Sequence, residues 1–147
     1  MRQKLCLLFI GILMISGLSA QNAELIDWKF LAQVEFKDQY FDDYEAWYLV
    51  PHFSEEVKQL DGKPVIITGY VIPLDVAQGK YALSAYPFSS CFFCGGAGPE
   101  TVMNLEFEKK PPRFDTDDFV TFKGILQLNA TDFDRFSYIL KEAEKVE

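Results

Sequence analysis

The chain has 147 residues, 49% of them hydrophobic and 16% aromatic, which excludes a disordered tail and gives enough apolar side chains for one core. It carries 22 acidic against 14 basic side chains and a formal net charge of −8. That balance excludes a nucleic-acid binder, which needs Lys and Arg to neutralise phosphates, and disfavours anionic membrane surfaces.

Arg2 and Lys4 precede an apolar run from Leu5 to Ile15, and Ser16, Gly17, Ser19 and Ala20 supply small residues before polar Gln21. This is the pattern of a secretory signal peptide, with cleavage expected after Ala20. The run is shorter than the ~20 residues needed to cross a bilayer, so no integral membrane segment is expected in the processed chain. Cys6 lies inside the run and leaves with the leader. The processed protein is therefore expected to be secreted or periplasmic, a single domain over residues 21–147. Loss of Arg2 and Lys4 takes its formal charge from −8 to −10.

Residues 27–36 alternate, with Trp28, Phe30, Ala32, Val34 and Phe36 on one side, and predict a half-buried strand. Residues 37–48 are aromatic and acidic without a clear period, which predicts a long loop or an irregular second strand closed by Pro51. Tyr40, Phe41, Tyr44, Trp47 and Tyr48 suit burial in a barrel end, with a ligand face as the other reading. Ser54 is placed to cap a short helix with Glu55 and Glu56 in its first turn, Val57 and Leu60 inward and Gly62 beyond its end.

From Lys63 the pattern is that of strands. Val65 to Ile72 is rich in β-branched residues and is expected to stop at Pro73; residues 119–128 place Val120, Phe122, Gly124, Leu126 and Leu128 on one face. Gly69 and Gly124 sit in mid-strand, where a missing side chain permits a sharp bend, a bulge or close backbone approach. Residues 81–86 and 102–107 predict two further strands, the second with Met103, Leu105 and Phe107 inward. A turn over residues 131–136 and a strand from Ser137 complete the chain.

Five or six short strands and one small helix predict a mainly β fold, a small, partly open barrel. The phrase Leu60-Asp61-Gly62-Lys63-Pro64-Val65-Ile66-Ile67-Thr68-Gly69-Tyr70-Val71, a strand pair, and then Asp118-Phe119-Val120-Thr121-Phe122-Lys123-Gly124 resemble the oligonucleotide/oligosaccharide-binding (OB) fold. With Gly69-Tyr70-Val71-Ile72-Pro73-Leu74, the chain also resembles small secreted bacterial OB-like proteins of unknown function. Some of these accompany zinc-uptake transporters. The resemblance implies export and a transport or envelope protein as partner. This chain departs from those relatives by placing Cys91-Phe92-Phe93-Cys94-Gly95-Gly96-Ala97-Gly98-Pro99-Glu100 where they carry a proline-containing cysteine segment.

Chemistry concentrates in that segment. A C-x-x-C turn allows three roles: a small structural disulfide, a pair of thiolate ligands for a borderline-soft ion with zinc as first candidate, or thiol exchange. A closed zinc site needs further donors, and the candidates are His52, the only histidine, and Glu100. Exchange is the least favoured, because Gly95, Gly96, Gly98 and Pro99 oppose the helix that activates a thioredoxin-like thiol. Phe92 and Phe93 suit a hydrophobic plug. One histidine, no G-x-S-x-G elbow, no calcium-loop spacing among the aspartates and no lysine in the glycine run leave little for hydrolytic, calcium or nucleotide chemistry. The expectation is a non-enzymatic exported protein that holds a metal through Cys91 and Cys94, with His52 or Glu100 assisting. The alternative is an OB-like ligand- or protein-binding module whose Cys91–Cys94 pair is a structural disulfide and whose aromatic surface engages a protein or envelope component.

Overall fold

The computed structural model describes residues 22–146; the leader and cleavage site expected within residues 1–20 lie outside them. Strand β1 (Glu24–Leu25) comes first, and at Asp27 the chain departs from the expected strand. The Asp27 carboxylate accepts a hydrogen bond from the Phe30 N–H at 2.8 Å and caps a four-residue helix, α1 (Trp28–Leu31). Leu31 is fully buried, and Trp28 packs against the core while its Nε1 donates to the Thr68 carbonyl at 2.8 Å. Period-two spacing of aromatics hid a helix whose start is fixed by a polar cap.

Strand begins only at β2 (Val34–Phe41), which runs antiparallel to β3 (Ala46–Phe53) in a two-stranded sheet. The stretch expected as a loop or irregular strand is thus the turn end of a regular hairpin: the close of β2, the turn over residues 42–45 and the start of β3. Pro51 lies within β3 opposite Phe36 and does not close the segment. Both strands of a two-stranded sheet are edges, where the missing proline N–H is tolerated.

The helix expected after Ser54 is α2 (Glu55–Lys58). Ser54 Oγ accepts from the Val57 N–H at 3.2 Å, Val57 and Leu60 are buried, and Gly62 turns the chain at φ +74°. Five strands follow: β4 (Pro64–Asp75), β5 (Lys80–Ser84), β6 (Val102–Leu105), β7 (Phe119–Leu128) and β8 (Tyr138–Lys145). Their hydrogen-bonded order is β4-β5-β6-β8-β7, and β7 pairs back onto β4, closing the ring; β1 adds a parallel strand outside β4. Only β6 and β8 run parallel within the ring. This is the small OB-like barrel expected from the sequence, with α1 as an additional short helix. β4 continues past Pro73, which pairs with Tyr81 before an irregularity in register, so that proline does not stop the strand.

Alternate residues Val65, Ile67 and Val71 of β4, Val120, Phe122 and Leu126 of β7, and Tyr138 and Leu140 of β8 fill the interior. The two mid-strand glycines permit close approach, as expected. A Cβ on Gly69 would stand 2.6 Å from the Ser84 carbonyl oxygen and 2.9 Å from Leu83 Cγ; one on Gly124 would stand 2.6 Å from the Lys141 carbonyl oxygen. A smaller cluster of Ile72, Ala82 and Val102 forms outside the main core, with Phe92 and Phe136 packed on it. That cluster anchors the cysteine segment.

Candidate ligand cleft and the cysteine segment

Residues 85–101 link β5 to β6 through three single 3-10 turns, Phe88–Ser90, Phe92–Cys94 and Pro99–Thr101. Cys91 is fully buried and its thiol donates to the Phe88 carbonyl at 3.1 Å, whereas Cys94 is exposed; both are free thiols. Gly95, at φ +72°, ends the middle turn. A Cβ on Gly96 would stand 2.6 Å from the Ser90 carbonyl oxygen, so this glycine lets the loop fold back on itself. Phe92 is half-buried against Phe136, and Phe93 is 40% exposed beside the same ring. Together the two rings seal the loop.

The four residues expected as metal donors are not gathered. His52 lies exposed on β3 opposite Glu35, and Glu100 is half-buried in the turn Pro99–Thr101. Among the described residues, no three His, Cys, Asp or Glu side chains converge as a group able to hold a metal ion. Cys91 lacks the exposure that thiol exchange requires, and Cys94 is the accessible thiol. Glu100 does have an electrostatic role. Burial first, and the Glu100 charge second, push the ionisation of the Tyr138 phenol well above its ordinary range. The Tyr138 hydroxyl donates to the Leu31 carbonyl and so ties α1 to the barrel.

Beside the cysteine segment lies a cleft of about 340 Å³, where three separately positioned elements meet. The hairpin contributes Phe36, Leu49 and Pro51; the cysteine segment contributes Phe92; the β7–β8 loop, residues 129–137, contributes Phe133 and Phe136. Asn129 organises that loop by accepting from the Asp132 N–H at 3.0 Å and donating to the Phe136 carbonyl at 3.1 Å. The Tyr48 and Phe133 rings stack at 3.8 Å and join hairpin to loop, with Phe41 and Tyr44 edge-on to Phe133. Arg135, the cation of the lining, is paired with Glu106. The cleft therefore offers mainly apolar contact, with the Asp132 and Asp134 carboxylates at its margin. The aromatic run 40–48 pointed to part of this wall. Phe36, Phe133 and Phe136 carry no local signal of this role, because their convergence depends on the hairpin folding against a distant loop.

The chain matches no family model and no curated protein. Among solved structures it is similar to a DUF3299 family protein from Pseudomonas aeruginosa PAO1, with a TM-score of 0.52 and 15% identity over 85% of this chain and 97% of that one. At that identity the likeness concerns fold alone. Among the described residues, no helix is long and apolar enough to cross a membrane.

Proposed function

We propose that the protein is an exported, non-catalytic binding module whose ligand seats an apolar group in the cleft between the hairpin, the cysteine segment and the β7–β8 loop. The observation that carries this reading is the convergence of three elements on one aromatic-lined cavity, of a size and lining typical of ligand sites. The polar lining favours contact over acid–base chemistry, since Arg135 is held by Glu106 and Asn129 is engaged in shaping the loop. Export rests on the leader pattern at Arg2, Lys4 and the apolar run behind them. In this reading buried Cys91, bonded to the Phe88 carbonyl, helps to hold the Phe92 wall of the cleft in place.

Titration of the processed protein with Nile red, a neutral apolar dye, tests the cleft. Saturable, blue-shifted emission at one site is expected, and Phe36→Ala combined with Leu49→Ala abolishes it while the far-ultraviolet circular dichroism stays unchanged. Dye binding that ignores those substitutions, or no binding, defeats the reading. Metal analysis of reduced, untagged protein addresses the accessory role in zinc handling. A stoichiometric ion lost on Cys91→Ser and Cys94→Ser would replace the apolar ligand with a metal whose remaining donors come from a partner.

A further inference from the structure

The apolar lining of the cleft does not end at its rim. On one face of the hairpin the cross-strand pairs run Phe36 with Pro51, Asp38 with Leu49, and Tyr40 with Trp47, because every second residue of a strand shares a face. Phe36 and Pro51 line the cleft, Leu49 lines it and is still 51% exposed, and Tyr40 and Trp47 carry the strip outward at 45% and 68% exposure. The Tyr40 and Trp47 rings lie 5.5 Å apart and form one continuous aromatic surface. Folding gains little from a tryptophan left two-thirds in water.

Charge along the strip has one sign. Asp38 sits within it opposite Leu49, and the hairpin turn adds exposed Asp42, Asp43 and Glu45. The cation of the hairpin, Lys37, is paired with Glu35 at 3.0 Å on the opposite face, and the cation of the cleft, Arg135, is held by Glu106. The surface therefore combines an apolar track with uncompensated carboxylates at its middle and end.

We infer that this track docks an extended segment of a partner protein that presents aromatic or aliphatic residues together with Lys or Arg on one face. The apolar side chains of that segment enter the cleft and lie along Leu49 and Trp47, and its cations meet Asp38 and the turn carboxylates. The inference rests on the cleft being a binding site, and it adds the chemistry of the occupant. Charge complementarity selects this occupant: a second copy of the chain would bring like charge to the strip, and anionic lipid would be repelled.

The test is selection of short random peptides displayed on phage against the immobilised processed protein. Enriched sequences are expected to combine Lys or Arg with Trp, Phe or Leu. Their affinity should fall at least about tenfold on Trp47→Ala, the type of residue that dominates interfaces. It should also weaken in Asp38→Asn with Asp42→Asn, and with added salt. Enrichment of neutral or acidic sequences, or binding undiminished in both variants, overturns the inference. Self-association abolished by Trp47→Ala would assign the strip to a second copy, and co-flotation with phosphatidylcholine vesicles would assign it to a bilayer; either overturns it. If Nile red still binds the cleft while no basic sequence is enriched, this inference fails alone. If neither probe binds, the proposed function fails with it.

Discussion

The barrel and the hairpin are built from the same kinds of residue and put them to opposite uses. In the barrel Phe122, Ile67, Leu126 and Tyr138 are fully buried, whereas on the hairpin Tyr40, Leu49 and Trp47 remain largely in solvent. The difference follows from pairing. Ring closure gives every barrel strand two neighbours and a shared interior, while two strands alone have no interior and are marginally stable at best. The hairpin is held from outside, by Tyr48 stacked on Phe133 and by Phe53 against Tyr138. Stability therefore resides in the ring, and the exposed aromatics of the hairpin are available for recognition.

The sharpest way to break that division is to damage the ring. Phe122→Ala removes a fully buried ring that touches Phe107 and Phe114, and a loss of about 3–5 kcal/mol is expected from transfer and cavity terms together. Urea unfolding measures it. A loss below about 1 kcal/mol would mean that the barrel interior is not where the stability lies.

Gly69→Ala is the next largest. In an open strand the substitution would help slightly by restricting the unfolded chain, by about 0.4–1 kcal/mol. Here the new methyl would meet the Ser84 carbonyl oxygen at 2.6 Å in a paired strand that cannot easily yield. Overpacking of this kind costs about 1–3 kcal/mol and decides the sign, with Gly124→Ala behaving alike. Either variant matching the wild type in a urea titration would refute the close-approach account.

These glycines also mark how far the sequence can be read. Glycine within the β-branched run 65–72 at Gly69, and in the alternating run around Gly124, pointed to close backbone approach in mid-strand, and Ser54 followed by Glu55 and Glu56 pointed to α2, because each signal is local. The hairpin was obscured for an equally local reason. Its turn contains no glycine or asparagine, and Glu45 takes up the left-handed conformation at φ +49° instead. At Asp27 a cap overrode the strand-like alternation of Trp28, Phe30 and Ala32. The cleft lay beyond such signals altogether, since Tyr48 reaches Phe133 only after the ring has closed and loop 129–137 has been shaped by Asn129. The cysteine pair was plain in the sequence, but which thiol is buried depends on the Phe88 carbonyl and the backbone of Ser90.

Tyr138 joins the two regions and offers a smaller, pH-dependent effect. Tyr138→Phe removes the hydrogen bond to the Leu31 carbonyl and should cost about 1–2 kcal/mol at neutral pH. In the folded state burial holds the phenol protonated well beyond its ordinary ionisation near pH 10. The unfolded chain releases this proton first, so the contribution is complete below about pH 10 and declines as pH rises above it. The Phe variant lacks that ionisation, and the stability gap between the two proteins should narrow in alkali. A gap that is constant from neutral pH to about pH 11 would show that the phenol is not buried as described.

The smallest expected change in stability comes from Trp47→Ala, on the exposed face of the hairpin. The side chain is 68% exposed, and its aromatic contact is with Tyr40, itself 45% exposed. Removing it should shift the unfolding free energy by no more than about 0.5 kcal/mol, within the range of ordinary surface substitutions. Thermal and urea unfolding of the variant would then superimpose on the wild type while peptide binding is lost. A destabilisation near that of Gly69→Ala would place Trp47 among the groups that hold the fold together, and the division between a stabilising ring and a recognising hairpin would fail at its clearest point.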